Sequence, residues 1–242
     1  MSQQTPQTTA GSLVVVGLGM APAGQLTVEA AAWLDRADAV YSLLGDGSPA
    51  GWLSARRPSA IPLAGLPLNT AATQLQSALA AGQQVCLVTA GHPLLPEEAA
   101  LVLAGRVRQA GYEVWVTPAV SAEDCAYADL GLDPGRRGCQ SFTATHWLLY
   151  RPRCDPASPL ILWQLDRIGA CAMDDGLALL AEQLGQHYPP NHPVTLYEPG
   201  TASLTHITLP QLSPARVSPA TLLYLPPLPP PTPAGGSPKE TV

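Results

Sequence analysis

The feature that most constrains the fold is a repeated alternation between short apolar runs and helical patterns. Leu13-Val14-Val15-Val16-Gly17 is apolar at consecutive positions, which suits a strand buried on both faces rather than one with a wet side. A helical pattern from Val28 to Ala37, with Glu29 in its first turn, leads to a second apolar run from Ala39 to Leu43. Asn69 is placed to cap a helix ending at Gly82, and Val85 to Thr89 is again strand-like. A helix from Glu97 to Gln109, stopped near Gly111, precedes a strand from Glu113 to Thr117. Parallel strands need such crossover helices, so the pattern predicts an α/β domain with a mostly parallel sheet.

Past Pro118 the pattern changes. Ser121 to Leu130 reads as a helix, Leu160 to Leu165 as a strand and Asp174 to His187 as a helix. Val194 to Tyr197, His206 to Leu209 and Thr221 to Leu225 read as strands of a mixed sheet. The predicted organisation is a disordered N-terminus over 1–10, an N-terminal α/β subdomain over 11–118, a C-terminal α/β subdomain over 119–227, and a Pro-rich disordered tail over 228–242. The domain boundary is expected near Thr117 to Ser121.

Composition excludes several classes of function. Lys and Arg total 12 against 18 Asp and Glu, for a net charge of -6. Neutralising phosphates needs clustered cations, so nucleic acid is an unsuitable partner. No apolar run approaches the ~20 residues that span a bilayer, and Met1 to Ala10 lacks a signal peptide's basic start and apolar core. A cytoplasmic protein is expected. The cysteines, Cys86, Cys125, Cys139, Cys154 and Cys171, form no C-x-x-C pair, and the five histidines form no H-E-x-x-H, so no metal site is implied. A hydrophobic content of 46% is enough for a substantial core.

Three loops fall where α/β proteins bind ligands, at the carboxyl ends of strands. Gly17-Leu18-Gly19 follows the first strand, but Pro22 stands where a dinucleotide fingerprint needs its third glycine, so a pyrophosphate site is disfavoured. Ala90-Gly91-His92-Pro93-Leu94-Leu95 follows the third strand. Gly91 permits close approach, Pro93 stiffens the loop, and His92 bonds either a cofactor or the loop itself. Ser121 and Asp124 form an S-x-x-D capping box at the next helix, which Gly131 ends. In the second domain Gln164 closes a strand with an amide able to pair both donor and acceptor.

The run Val120-Ser121-Ala122-Glu123-Asp124-Cys125, continuing through Ala128-Asp129-Leu130-Gly131 to Asp133-Pro134 and Gly138-Cys139-Gln140, is far longer than capping requires. It resembles the borosin-type peptide backbone N-methyltransferases, within the wider tetrapyrrole methylase family. The resemblance extends through the G-x-G followed by Leu26-Thr27, the Ala90 to Leu95 loop, Leu160 to Gln164 and Leu223 to Pro227, covering about Ser12 to Pro227. It implies S-adenosyl-L-methionine as cofactor, held in a cleft between the two subdomains. The implied contacts are Ala90, His92, Leu95, Ser121, Ala122, Gln164 and, in the last strand, Thr221. It also implies a homodimer, in keeping with 46% hydrophobic and only 12% charged residues.

One departure from the family bears on the chemistry. The resemblance implies a Tyr, Arg and Tyr constellation between the second strand and the following helix, helping to remove an amide proton. Here Pro67 stands at the Arg position and Ala71 at that of the second Tyr, and no Asp, Glu, Lys, Arg or Tyr occurs from Pro58 to Pro96. A neutral amide nitrogen needs such help, whereas an amine or electron-rich carbon needs less. Only Cys86 and His92 in that segment would titrate near neutral pH. The catalytic residues are therefore unassigned; Tyr41, Asp46, Tyr127, Asp129 or Arg167 could supply proton chemistry from elsewhere in the chain. Pro67→Arg with Ala71→Tyr would restore the constellation if both side chains reached the cleft.

Three readings follow. The first is a stand-alone methyltransferase acting on a precursor peptide supplied by another chain, because the short Pro-rich tail offers neither a helical clasp nor apolar acceptor residues. The second is a methylase of a tetrapyrrole-like or other small metabolite. The third is a catalytically inactive, cofactor-binding partner protein.

Overall fold

The computed structural model describes residues 11–45, 48–95, 98–168 and 175–229. The disorder expected over 1–10, most of the tail expected to be disordered, and Asp46, Pro96, Glu97, Cys171 and Asp174 lie outside them. The chain divides after Cys125 into two compact units, each with its own core.

The first unit is built on five parallel strands: β1 (Ser12–Gly17), β2 (Ala39–Ser42), β3 (Ile61–Pro62), β4 (Gln84–Thr89) and β5 (Glu113–Val116). Their spatial order is β3-β2-β4-β1-β5, with Val15 opposite Leu87 on one side and Val116 on the other. Successive side chains of a strand point to opposite faces, and here both faces are dry. Leu13, Val15, Val85 and Leu87 join one core cluster, while Val14, Val16, Cys86 and Val88 join another. Consecutive apolar residues are thus what a two-sided central strand requires.

Each face is covered by helices. Ala30 and Leu34 of α2 (Val28–Arg36) and Leu53 of α3 (Ser48–Arg56) cover one. The other is covered by α4 (Leu68–Ala80) through Ala71, Leu75 and Leu79, and by α5 (Glu98–Gln109) through Leu103 and Val107. A one-turn helix, α1 (Pro22–Gln25), precedes α2, whose Thr27 cap accepts the Ala30 N–H at 3.1 Å. The cap of α4 is Pro67, not Asn69. Pro67 has no N–H to leave unpaired, and Asn69, already inside the first turn, accepts a 2.7 Å bond from Arg106. Gly82, at φ 81°, then turns the chain out of α4.

The second unit follows α6 (Ala122–Leu130), within which the division falls, and the one-turn α7 (Pro134–Arg137). Its sheet runs β6-β7-β10-β8-β9, comprising β6 (Gln140–Thr143), β7 (Leu160–Trp163), β8 (Pro193–Glu198), β9 (Ser203–Thr208) and β10 (Leu222–Leu225). Only β6 and β7 pair in parallel, so the sheet is mixed. Trp147 and Leu148 of α8 (Ala144–Tyr150), Leu180 and Leu184 of α9 (Gly176–Leu184), and Leu209 and Leu212 of α10 (Leu209–Leu212) pack on its Leu160, Leu162, Leu196 and Leu223 face.

Several expected boundaries move. The strand expected to reach Leu165 stops at Trp163, because Leu165–Arg167 coils into a 3-10 turn. The strand expected from His206 to Leu209 is the end of β9, and Leu209 opens α10 under a Thr208–Gln211 capping box. The helix expected to reach His187 ends at Leu184, with Gly185 as its cap. Among the described residues no helix is long and apolar enough to cross a membrane.

Candidate functional site

Strand order fixes where a ligand fits in the first unit. The chain leaves β1 toward α2 on one face of the sheet and leaves β4 toward α5 on the other. Because β1 and β4 are neighbours, their carboxyl ends open at a topological switch point, the position at which open α/β sheets take ligands. The Ala90 to Leu95 loop predicted to contact the cofactor, and the family's glycine turn from Gly17 to Ala21, are those two exits.

They are tied together. The Gly91 N–H donates to the Gly19 carbonyl at 3.0 Å and the Leu18 N–H to the Thr89 carbonyl at 3.0 Å. Gly17 has no space for a side chain: a Cβ there would meet the Gly91 carbonyl oxygen, with Ala119 at 2.7 Å and Pro93 at 2.9 Å. Thr89 and Thr117, both buried, end β4 and follow β5, and each hydroxyl donates to a β1 carbonyl at 3.4 Å.

The turn after β1 is no phosphate cradle. Met20 and Ala21 donate their N–H groups to the Gln25 side chain, at 2.7 and 2.9 Å. With Leu18 and Gly91 also bonded internally, these amides are not offered to an anion, as a helix-terminus phosphate site would require. What the turn offers is a closely packed backbone surface.

His92 bonds its own loop. Its Nδ1 accepts the Leu94 N–H at 3.2 Å, and its carbonyl accepts the Leu95 N–H at 3.1 Å. Accepting at Nδ1 assigns the ring proton to Nε2 in the neutral imidazole, so Nε2 remains the group for a ligand. Ala90 and Leu95 are exposed at the loop's two ends. Ser121 is buried, and its capping box closes as the sequence predicts. Ser121 N–H and hydroxyl both donate to Asp124 Oδ2 at 2.7 Å, and the Asp124 N–H donates back to Ser121 Oγ at 3.0 Å. The hydroxyl is thereby committed to the cap, leaving backbone as the means by which Ser121 and Ala122 can touch a ligand.

In the second unit Gln164, at the carboxyl end of β7, sits in the left-handed region at φ 56° and ψ 48°. For a residue with a side chain this costs about 1 kcal/mol. Its side-chain amide has no hydrogen-bond partner among the described residues. Thr221 lies one residue ahead of β10 rather than within it. It is buried, and its hydroxyl donates to Glu198 Oε1 at 3.0 Å while accepting the Ser218 N–H at 2.7 Å. Ser218 Oγ also donates to Glu198, at 2.8 Å. Glu198 and Thr221, with Arg216 and the β9 residues Ser203 and Thr205, line an open cavity of about 350 Å³. Sequence reading overlooked Glu198 and Gln25; neither belongs to a motif, and only coordinates reveal them as the acceptors around which two loops close.

Of the described groups considered for proton transfer, Tyr41 lies in β2, Tyr127 and Asp129 in α6, and Arg167 outside both. Tyr41 is buried, its hydroxyl 3.5 Å from the Gln74 carbonyl. Asp129 accepts the Tyr197 hydroxyl at 2.5 Å, and Arg167 belongs to the 3-10 turn. Contrary to the sequence reading, Cys86 does not titrate near neutral pH: burial in β4 pushes its thiol up to about 12, with Arg57 opposing. The graft considered above also fails at one position, because Ala71 is 1% exposed and points into the core rather than toward a ligand. Among the described residues no three His, Cys, Asp or Glu side chains gather to hold a metal.

Residues 12–213 match the family described as Tetrapyrrole (Corrin/Porphyrin) Methylases. A methyltransferase and type I borosin cyclic peptide precursor of Coprinopsis marcescibilis is 32% identical over 213 residues, covering 80% of this chain and 54% of the relative. The methyltransferase and omphalotin A precursor of Omphalotus olearius is 29% identical over 254 residues, covering 93% and 60%. The chain thus spans about half to three fifths of the length of these relatives. Among solved structures, the uroporphyrin-III-C-methyltransferase of Thermus thermophilus superposes with a TM-score of 0.68 at 23% identity, covering 90% of this chain and 92% of that one. A cobalt precorrin-4 methyltransferase gives 0.71 at 15%, covering 91% and 97%. A parallel sheet with a switch point, followed by a mixed sheet, is the fold those enzymes share, and with the match over residues 12–213 it places this chain in the tetrapyrrole methylase family.

Proposed function

We propose that the chain is an S-adenosyl-L-methionine-dependent methyltransferase that modifies the backbone of a peptide supplied by another molecule. The observation that carries this reading is the β1/β4 switch point, where the two family loops are held against each other by the Gly91 to Gly19 bond. The residues of the first unit suit the cofactor: a close-packed glycine turn, and a loop in which His92 Nδ1 is taken while Nε2 has no partner among the described residues. When bound, the sulfonium supplies an electrophilic methyl with its own leaving group, so the protein's task is positioning and exclusion of water. The borosin relatives, named as methyltransferases joined to cyclic peptide precursors, support a peptide acceptor.

A small-molecule acceptor is the second reading, favoured by one specific observation. Over residues 58–95 the sole ionisable side chains are Cys86, sealed in the sheet, and His92, whose Nδ1 is taken by its loop. An amide acceptor would need its proton received elsewhere, whereas an amine or electron-rich carbon demands less of the protein. In the third reading the chain binds cofactor without turnover.

Intact-mass spectrometry tests all three. After incubation with the protein and S-adenosyl-L-methionine, peptides encoded beside its gene should gain one methyl mass or multiples of it. Calorimetry with S-adenosylhomocysteine supplies the control. Binding without methylation of any peptide would overturn the peptide reading, and absence of heat with a folded protein would overturn the methyltransferase reading. We further propose a homodimer, supported by exposed Val28, Leu101, Trp115, Leu149 and Tyr150 on a chain with 12% charged residues.

A further inference from the structure

The side chain of Gln25, which closes the one-turn helix after β1, is folded back over the glycine turn. Its Oε1 accepts two backbone N–H groups, Met20 at 2.7 Å and Ala21 at 2.9 Å. Because only oxygen can accept both, the orientation of the amide is fixed, and Nε2 must point the other way. There it donates to Cys125 Sγ at 3.4 Å. Cys125 is buried on the first turns of α6, four residues beyond Ser121, and its N–H bonds the Ser121 carbonyl at 3.2 Å. A Cβ on Gly19 would lie 2.6 Å from Gln25 Cβ, so the glycine turn is shaped to let this side chain pass.

One amide therefore joins three segments. It holds the Met20-Ala21 turn, and through the Gly91 to Gly19 bond that turn holds the loop carrying His92. It also reaches the helix whose start presents Ser121 and Ala122. The cap of α6 and the bonds within the His92 loop are each local; Gln25 is the side chain that links the glycine turn to the helix.

We propose that Gln25 is a positioning residue for cofactor binding: it sets the β1 turn, and with it the His92 loop and the start of α6, in the geometry that receives S-adenosyl-L-methionine. This rests on the methyltransferase reading, and it deepens that reading by naming a residue that touches the loops rather than the ligand. The two accepted bonds hold the turn and, through Gly19 and Gly91, the His92 loop, and the one donated bond adds the reach to α6. Glutamate at the position accepts but cannot donate, and methionine does neither.

Gln25→Met and Gln25→Glu, compared with wild type, test the assignment by two measurements. Calorimetry with S-adenosylhomocysteine should show affinity lowered about tenfold or more in Gln25→Met, the equivalent of one to two lost hydrogen bonds. Gln25→Glu should recover most of that loss. Amide hydrogen exchange without ligand should accelerate in Gln25→Met over both 17–21 and 90–95, and far less in Gln25→Glu. A folded Gln25→Met variant that binds like wild type would overturn the proposal, as would a Glu variant no better than Met. If wild type binds neither S-adenosyl-L-methionine nor its demethylated product, the methyltransferase reading fails on its own, and exchange still decides the clamp: acceleration confined to 17–21 would overturn it.

Discussion

Gln164 is a residue at which local backbone preference and the proposed cofactor contact conflict. Its left-handed conformation disfavours any side chain, yet an amide stands there without a partner among the described residues. Glycine would relieve the backbone at no steric cost. Gln164→Gly is therefore expected to stabilise the second unit by up to about 1 kcal/mol in chemical denaturation, while weakening S-adenosylhomocysteine binding in calorimetry. A Gly variant that is destabilised and binds normally would show that the amide serves the fold. Cys86 is the opposite case, a titratable group the fold silences. Burial raises its pKa in the folded state, so its contribution to stability is complete below the ordinary thiol value near 9 and is lost as pH climbs toward about 12. Denaturation midpoints of wild type should fall more steeply over that interval than those of Cys86→Ala, and parallel curves would refute the assignment.

At the scale of elements, the sequence is most legible where one face or two must be dry. β1, β4, α2 and α5 are readable because Val, Leu and Ala recur at the period their burial demands, and the Ser121 to Asp124 box is readable because capping is a local pairing. What escapes is short or chemically mixed. β3 is two exposed residues, Ile61 and Pro62, completed by its neighbour β2. α3 carries Pro49 and Gly51, both poor helix formers, and β6 is Gln-Ser-Phe-Thr at a sheet edge. None announces itself without its partner. The α4 start misleads for another reason, because Asn69 satisfies Arg106 instead of the helix end. Two expected outcomes belong here. Ser121→Ala should cost about 1 kcal/mol through loss of the cap, measured by denaturation. Ala71→Tyr should cost about 1–3 kcal/mol or more by overpacking between α4 and the sheet. An Ala71→Tyr variant as stable as wild type would mean that the α4 face can open, and would return the grafted tyrosine to consideration.

At the scale of the whole molecule, the candidate site is legible in the sequence as loops but not as a linkage. Their positions follow from strand order, whereas Gln25 and Glu198 become visible only when the chain has folded around them. Light scattering should report about twice 25.2 kDa at micromolar concentration if the exposed apolar side chains pair two copies, and a mass of 25.2 kDa would refute the dimer. The decisive measurement concerns the two units. Each has its own buried core, so calorimetric unfolding can resolve them separately. A ligand stabilises the cooperative unit whose folded form binds it, by about 2.7 kcal/mol at a hundred times Kd. S-adenosylhomocysteine at that excess should therefore raise the first unit's transition through the loops at β1 and β4. It should raise the second unit's transition as well, or merge the two, if Gln164 and Thr221 bind as the family resemblance implies. A shift confined to the first unit's transition would remove Gln164 and Thr221 from the site and leave the loops held by Gln25 in it, whereas a shift confined to the second would remove those loops.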